Sequence, residues 1–224
     1  MSKIITFGTQ KGGNGKSTVT NLTANTFSQT FKLKVLVLDC DKQKSLYKTR
    51  QTDIKRYELY SVPEPYKIIS LNLNELPNRI KDFDKDFDIV LIDYAGELDA
   101  QNVGKILSLC DYVFVIFCAG SFNFTSSLDY LNFAKNIQTV RSATPRPLKN
   151  ISPFINFHRP RTTAQKNLMS DIRAVKVETM LNYLNDYALF KETDTYTDLY
   201  DTQSADAAKH NFTLFCNEVI NAIR

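Results

Sequence analysis

The sequence predicts an α/β fold: one doubly wound, mostly parallel sheet flanked by helices. Three observations predict it. Short apolar runs alternate with longer helix-like stretches along the chain. The runs KVLVLD, DIVLID and YVFVIFC are almost continuously apolar, as strands covered on both faces must be. The stretches between them are long enough for the crossover helices that parallel pairing requires. With 224 residues the chain fits a single domain over 1–224, large enough to bury a core without disulfides.

Taken in order, Ile4–Gly8 reads as the first strand and Lys16 to about Thr30 as the first helix. Lys34–Asp39 is the second strand, 42–58 a polar helix, Lys67–Leu71 a weak strand and Asn74–Phe83 a helix. Asp88–Asp93 is a buried strand, 99–110 a helix and Tyr112–Cys118 the next strand. A helix runs from about Ser126 to Val140, and Pro145 and Pro147 break the chain before the strand Ile151–Phe157. Residues 162–181 read as helix, 186–202 are polar and ambiguous, and Ala205–Ile223 reads as a final amphipathic helix.

The hydrophobic fraction of 43% and charged fraction of 23% are those of a folded domain, which excludes disorder. Cys40, Cys110, Cys118 and Cys216 form no CxxC pair, and there are two histidines, so zinc and iron–sulfur ligand spacing is missing. Buried free thiols in a reducing cytosol are expected instead. No apolar run approaches the roughly 20 residues a bilayer span needs, and MSKIITFG has no signal-peptide shape. A cytoplasmic protein is the expectation. Between Arg141 and Lys176 lie eight basic residues against Asp171 alone; that segment carries +7 and the rest of the chain, at +4 overall, carries −3. A basic block on a nearly neutral body points to a polyanionic partner.

The strand ITFG runs into Thr9-Gln10-Lys11-Gly12-Gly13-Asn14-Gly15-Lys16-Ser17-Thr18 and then a helix, the context that makes a phosphate loop credible. Gly12, Gly13 and Gly15 let backbone N–H groups turn inward onto phosphate oxygens. The helix N-terminus adds partial positive charge. Lys16 can reach the β- and γ-phosphates, and the Ser17 hydroxyl is placed for magnesium. Gln10 stands where the usual pattern has its first glycine. Lys11 precedes the glycines. It is either a solvated lysine or a residue that reaches a second subunit's nucleotide and neutralises charge developing in phosphoryl transfer.

Asp39 ends the second strand and Asp41 follows two residues later. Ligands of open parallel sheets sit beyond the carboxyl ends of the strands, so both aspartates lie near the loop if the second strand neighbours the first. Two carboxylates beside phosphate call for a cation between them, and magnesium is the natural one. Asp93 closes an apolar strand in the Walker B pattern, holding magnesium usually through a water. Asp88, at the other end of that strand, reads as a turn residue. No glutamate or glutamine stands out as a strong base, so hydrolysis is expected to be slow.

QKGGNGKST resembles the deviant Walker A loop of the ParA/MinD group of P-loop ATPases. The likeness continues in KVLVLDCDKQKSL and FDIVLIDYAGELD, with Lys42 and Tyr94-Ala95-Gly96 where the family has prolines and Thr-Pro-Pro. It implies a P-loop NTPase fold, ATP with Mg2+, an ATP-dependent homodimer, and Lys11 crossing the dimer interface. It implies Asp41 orienting the attacking water, Asp39 supporting the magnesium shell, and the loop at Asn156 near adenine, with the 186–202 stretch completing the base pocket. It implies nonspecific DNA binding; Arg159, Arg161, Lys166, Arg173 and Lys176 are the candidate contacts, and charge alone leaves a solvated surface equally open. A ParB-like or other cargo-adaptor partner and a nucleoid location follow from the same resemblance, with a plasmid, chromosome region or mobile element as cargo. There is no room before the loop for a helix-turn-helix domain, so operator binding is not expected.

Two alternatives belong to the same group: a MinD-like membrane-associated ATPase and a metabolic or redox P-loop enzyme. Phe212, Phe215, Val219 and Ile223 recur at helical spacing, but Lys209 and Arg224 are the only cations near them. Packing onto the sheet is therefore expected, with no membrane partner. The missing paired cysteines count against a redox relative.

Overall fold

The computed structural model describes residues 1–96, 98–199 and 206–224. β1 (Lys3–Gly8) leads through the glycine loop into α1 (Lys16–Asn25), which is extended by a π-helical turn, Thr26–Thr30. β2 (Val35–Asp39), α2 (Ser45–Arg56), β3 (Lys67–Ser70), α3 (Leu76–Phe83) and β4 (Ile89–Asp93) follow. The chain continues through α4 (Ala100–Leu107), β5 (Tyr112–Phe117), α5 (Ser121–Arg141), β6 (Asn150–Ile155), α6 (Thr163–Ala174), α7 (Ala188–Glu192) and α8 (Asp206–Ala222).

The strands form one six-stranded sheet in the order β3-β2-β4-β1-β5-β6, and every pairing is parallel. The second strand therefore does not neighbour the first. β4 lies between them, and its register sets Asp93 directly beside Asp39. Alternate residues feed two cores. Ile5, Phe7, Val37 and Leu91 face α1 and α8, whereas Ile4, Leu36, Val90 and Val113 face α3, α4, α5 and α6. Phe212, Phe215, Val219 and Ile223 are all buried against the first face, so α8 packs on the sheet as its spacing predicts. Among the described residues, no helix is long and apolar enough to cross a membrane. All four cysteines are buried free thiols.

Several boundaries differ from the sequence reading, three of them with a visible cause. α5 begins at Ser121, because Asn123 bonds back to Ala119 O and Phe124 packs on Phe117. β6 ends at Ile155; Phe157 turns to φ +53° and leaves the sheet. The helix expected over 162–181 stops at Ala174, and Lys176 takes φ +55°. Met180 and Leu184 then donate to Pro153 O and Ile155 O alongside β6. Their spacing from Leu168 and Ile172 imitates a helix, although both serve an extended segment.

α1 buries Thr20, Asn21, Thr23 and Asn25, an unusual load of polar residues for one core-facing helix. Asn21 and the π-helical turn after α1 meet the segment Asp194–Asp198, whereas Asn25 bonds to Asn21 O and the Thr20 and Thr23 hydroxyls are buried without a hydrogen-bond partner among the described residues. Asn21 donates to Asp194 O at 3.0 Å, Gln29 to Tyr196 O at 2.8 Å and Thr26 to Asp198 Oδ1 at 3.2 Å. From α2, Arg50 donates to Thr195 Oγ1 and O at 2.9 and 3.0 Å, with its guanidinium between the rings of Tyr66 and Tyr196. The end of the 186–202 stretch and Ala205 lie outside the described residues.

Candidate functional site

The loop between β1 and α1 needs left-handed backbone at two points, Gly13 (φ +78°) and Gly15 (φ +85°), which glycine adopts without strain. It is braced from behind. Asn156 Nδ2 donates to Asn14 O at 2.9 Å, and the Cys118 thiol, kept protonated by burial that pushes its pKa to about 12, lies 3.9 Å from the same oxygen. A Cβ on Gly15 would come within 2.6 Å of Asn156 Nδ2. Asn156 thus carries the loop on its side chain, and the next residue, Phe157, lines the cavity in front.

That cavity, of about 570 Å³, opens at the carboxyl ends of the strands. Its lining combines the loop and first helical residues Gly12, Gly13, Gly15, Lys16, Ser17 and Thr18 with Asp41 and Gln43 after β2, Tyr94, Ala95 and Gly96 after β4, and Phe157 and Lys191. Lys16 is buried, and its ammonium donates to Lys11 O at 3.3 Å. Lys11 itself is exposed. Of the seven loop and helix residues expected at the phosphates, Gly12, Gly13, Gly15, Lys16, Ser17 and Thr18 therefore share one surface with Asp41, whereas Asn14 is buried with its side chain donating to Thr9 Oγ1 at 3.4 Å.

The carboxylates are arranged in depth. Ser17 Oγ donates to Asp93 Oδ2 at 2.7 Å, while Asp93 Oδ1 is buried without a hydrogen-bond partner among the described residues. Burial pushes Asp93 up to about 7, against the pull of the Ser17 hydroxyl. A cation beside it would restore the ionised form and satisfy the orphan oxygen. Asp39 stands one strand further from the loop. Its carboxylate accepts from Asp41 N at 3.1 Å and Tyr47 N at 2.9 Å, and burial raises its pKa. Asp39 thereby folds the turn that leads into α2, and Asp41 Oδ1 accepts from Gln43 N at 2.8 Å within that turn. Asp88 Oδ2 accepts from Lys34 N at 2.8 Å, the turn role expected of it.

The sequence profile described as the CobQ/CobB/MinD/ParA nucleotide binding domain matches residues 5–192. The chain belongs to this family. Solved structures of the MinD/ParA fold superimpose over nearly its whole length. A putative plasmid partition protein from Borrelia burgdorferi B31 bound to AMPPNP shares 21% identity at a TM-score of 0.70, covering 98% of each chain. A McdA variant from Cyanothece in complex with ATP shares 13% at 0.76, covering 100% of this chain and 98% of that one. Cobyrinic acid a,c-diamide synthase from Mycobacterium smegmatis, with bound ADP and magnesium, shares 14% at 0.64, covering 99% and 95%. At these identities the likeness establishes the fold. No curated protein matches significantly in sequence.

Three features of this MinD/ParA chain escaped the sequence reading. Gly96 packs onto the loop's backbone: a Cβ there would lie 2.6 Å from Gly12 N. Lys191 reaches the cavity from α7, its ammonium 2.6 Å from Asp186 Oδ1 and 5.2 Å from the Phe157 ring centroid. Most of the polar stretch from Asp194 to Asp198 faces α1 and α2 instead of the cavity. The basic block also divides. Arg141 is buried and donates to Leu107 O and Cys110 O, and Arg146 pairs with Asp111 and Asp84. Arg159 pairs with Asp186. Arg161, Lys166, Arg173 and Lys176 are exposed.

Proposed function

We propose that this chain is an ATP-dependent dimerising ATPase that binds DNA without reading its sequence and partitions or positions a plasmid, chromosome region or mobile element. Its hydrolysis is slow and is stimulated by a ParB-like or other cargo-adaptor protein. The observation that carries the reading is the buried, unpartnered oxygen of Asp93 beside Ser17 and the glycine loop, a site made for a cation bound to phosphates.

In this reading Gly12, Gly13, Asn14, Gly15, Lys16, Ser17 and Thr18 hold the triphosphate, and Ser17 and Asp93 hold Mg2+, with Asp39 behind them. The bound magnesium supplies charge neutralisation at the phosphates. Asp41, which lines the same cavity, orients water. Lys11, exposed at the rim, reaches the partner subunit's nucleotide. Phe157 and Lys191 form the base end, with Asn156 behind them. DNA binding draws on the exposed members of the basic block and places the protein in the cytoplasm on the nucleoid.

The burial of Phe212, Phe215, Val219 and Ile223 leaves α8 no apolar face for a MinD-like membrane role. The likeness to the diamide synthase favours one second reading, a metabolic enzyme on the same fold. Light scattering and DNA co-sedimentation with ATP, ADP or no nucleotide separate the two. The expected result is a dimer that pellets with DNA in ATP and magnesium, lost in ADP and in Lys16→Ala. A chain that binds ATP but stays monomeric and free of DNA would leave the metabolic reading standing.

A further inference from the structure

The proposed function asks for a DNA-facing surface, and the block from Arg141 to Lys176 supplies less of one than its charge promises. Arg141 and Arg146 are committed inside the fold and Arg159 to Asp186. A denser set of cations lies on α2 and the turn before it. Lys42, Lys44, Lys48, Lys55 and Arg56 are all exposed, and among the described residues none makes an ion pair. The acids of the same stretch are mostly turned away. Asp41 faces the nucleotide cavity, Asp53 is buried and accepts from Thr195 N at 2.9 Å, and Glu64 pairs with Arg50. Glu58 is exposed, beyond the end of the helix.

The spacing is ordered. At 3.6 residues per turn, Lys48, Gln51 and Lys55 fall on one stripe, and Lys44 caps the helix just before it with left-handed backbone, φ +54°. The buried residues of the helix, Leu46, Arg50 and Asp53, lie on the opposite side. A rise of about 1.5 Å per residue separates Lys48 from Lys55 by about 10 Å along the axis. One DNA strand carries a phosphate about every 3.4 Å of axis, so this is close to three phosphate steps. Thr49 and Thr52 lie along one side of the stripe; on the other, Tyr47 is the exposed large apolar residue of α2, and one such residue makes no row of the kind a membrane-surface helix buries in lipid. The chemistry fits a nucleic-acid backbone.

The same helix starts at the nucleotide site. Lys42 and Lys44 flank Gln43, which lines the cavity with Asp41, and Asp39 holds this turn through Asp41 N and Tyr47 N. We infer that the Lys48 and Lys55 stripe of α2, with Lys42, Lys44 and Arg56 beside it, is the principal contact to the DNA backbone, and that the turn before the helix ties this contact to the bound nucleotide. The inference rests on the DNA-binding function proposed above.

The test compares full-length Lys48→Glu/Lys55→Glu, the milder Lys48→Gln/Lys55→Gln, and Arg161→Glu/Lys166→Glu/Arg173→Glu. Binding to a mixed-sequence duplex is followed by fluorescence anisotropy with ATP across a salt series, alongside ATP affinity and oligomeric state. The expected result is at least a tenfold loss of DNA affinity for the reversed α2 pair and a smaller loss for the glutamine pair. The log–log salt slope becomes shallower by about 0.9 per lost contact. ATP binding and dimer formation stay as in the wild type. Wild-type affinity in both α2 variants with loss in the block variant overturns the inference and leaves the DNA-binding function intact. Loss of binding to anionic vesicles, with DNA binding unchanged, assigns the stripe to lipid and also overturns it. A wild-type chain that binds no duplex in any nucleotide state removes the proposed function itself.

Discussion

Gly96 and Asp186 show how single positions bear on the site. Gly96 has no side chain because the backbone of Lys11 and Gly12 passes within 2.7 Å of where its Cβ would be. Main chain cannot swing aside as a side chain can, so Gly96→Ala must displace the phosphate loop, a strain of about 1–3 kcal/mol. Calorimetric titration with ATP and magnesium should show affinity lowered by about tenfold or more, since each tenfold is about 1.4 kcal/mol. At Asp186 the Lys191 ammonium, and after it the Arg159 guanidinium, hold the carboxyl below its usual 3.8, although burial pushes the other way. The folded form therefore binds fewer protons than the unfolded one in acid. The stabilisation is complete above the usual carboxylate value and is lost as pH falls through the lower folded value. Melting temperatures should decline less steeply below about pH 4 in Asp186→Asn than in the wild type, with the two curves parallel from about pH 6 to 8.

At the scale of elements, α1 and α2 clamp the late segment that no regular structure supports. Arg50 is buried, stacked between Tyr66 and Tyr196, and bonded to Thr195 and Tyr66 O. Removing it leaves these buried acceptors unpaired, and Arg50→Ala should cost about 1–3 kcal/mol in chemical unfolding. Hydrogen exchange should rise first at Thr195–Thr197, while the amides of β1 and β4 stay protected. β1, β2 and β4 were legible because each is a run rich in Ile, Val, Leu and Phe ending in a chemically informative residue, Gly8, Asp39 or Asp93. The phosphate loop was legible because glycine spacing, lysine and serine are all local. The role of Asp194–Asp198 was not: its partners Asn21, Gln29 and Arg50 lie more than a hundred residues away, and nothing in a polar run says which helix it will meet. Arg141 and Arg146 misled the charge count for the same reason, since their partners include Leu107 O, Asp84 and Asp111. Gly96 was equally silent, a glycine whose constraint comes from another loop.

At the scale of the whole molecule, the proposed switch would separate binding from turnover. Asp41 lines the cavity without touching the Asp93 and Ser17 pair that would hold magnesium. Asp41→Ala should therefore retain ATP-dependent dimers in light scattering while phosphate release slows by about 100-fold, within the range a positioned catalytic group contributes. An Asp41→Ala chain that remains monomeric in ATP would assign the residue to assembly instead. The order of the strands has a consequence for synthesis. β1 and β2 are separated by β4, so the first two strands to leave the ribosome cannot pair with each other. Their common neighbour begins at Ile89, and β1 gains its other edge only when Tyr112–Phe117 emerges. Until then the nascent chain holds two apolar strands with unpaired edges, a state prone to aggregate. Slowing translation shortly before Ile89 should prolong that exposure and lower soluble yield more than a pause placed after Phe117.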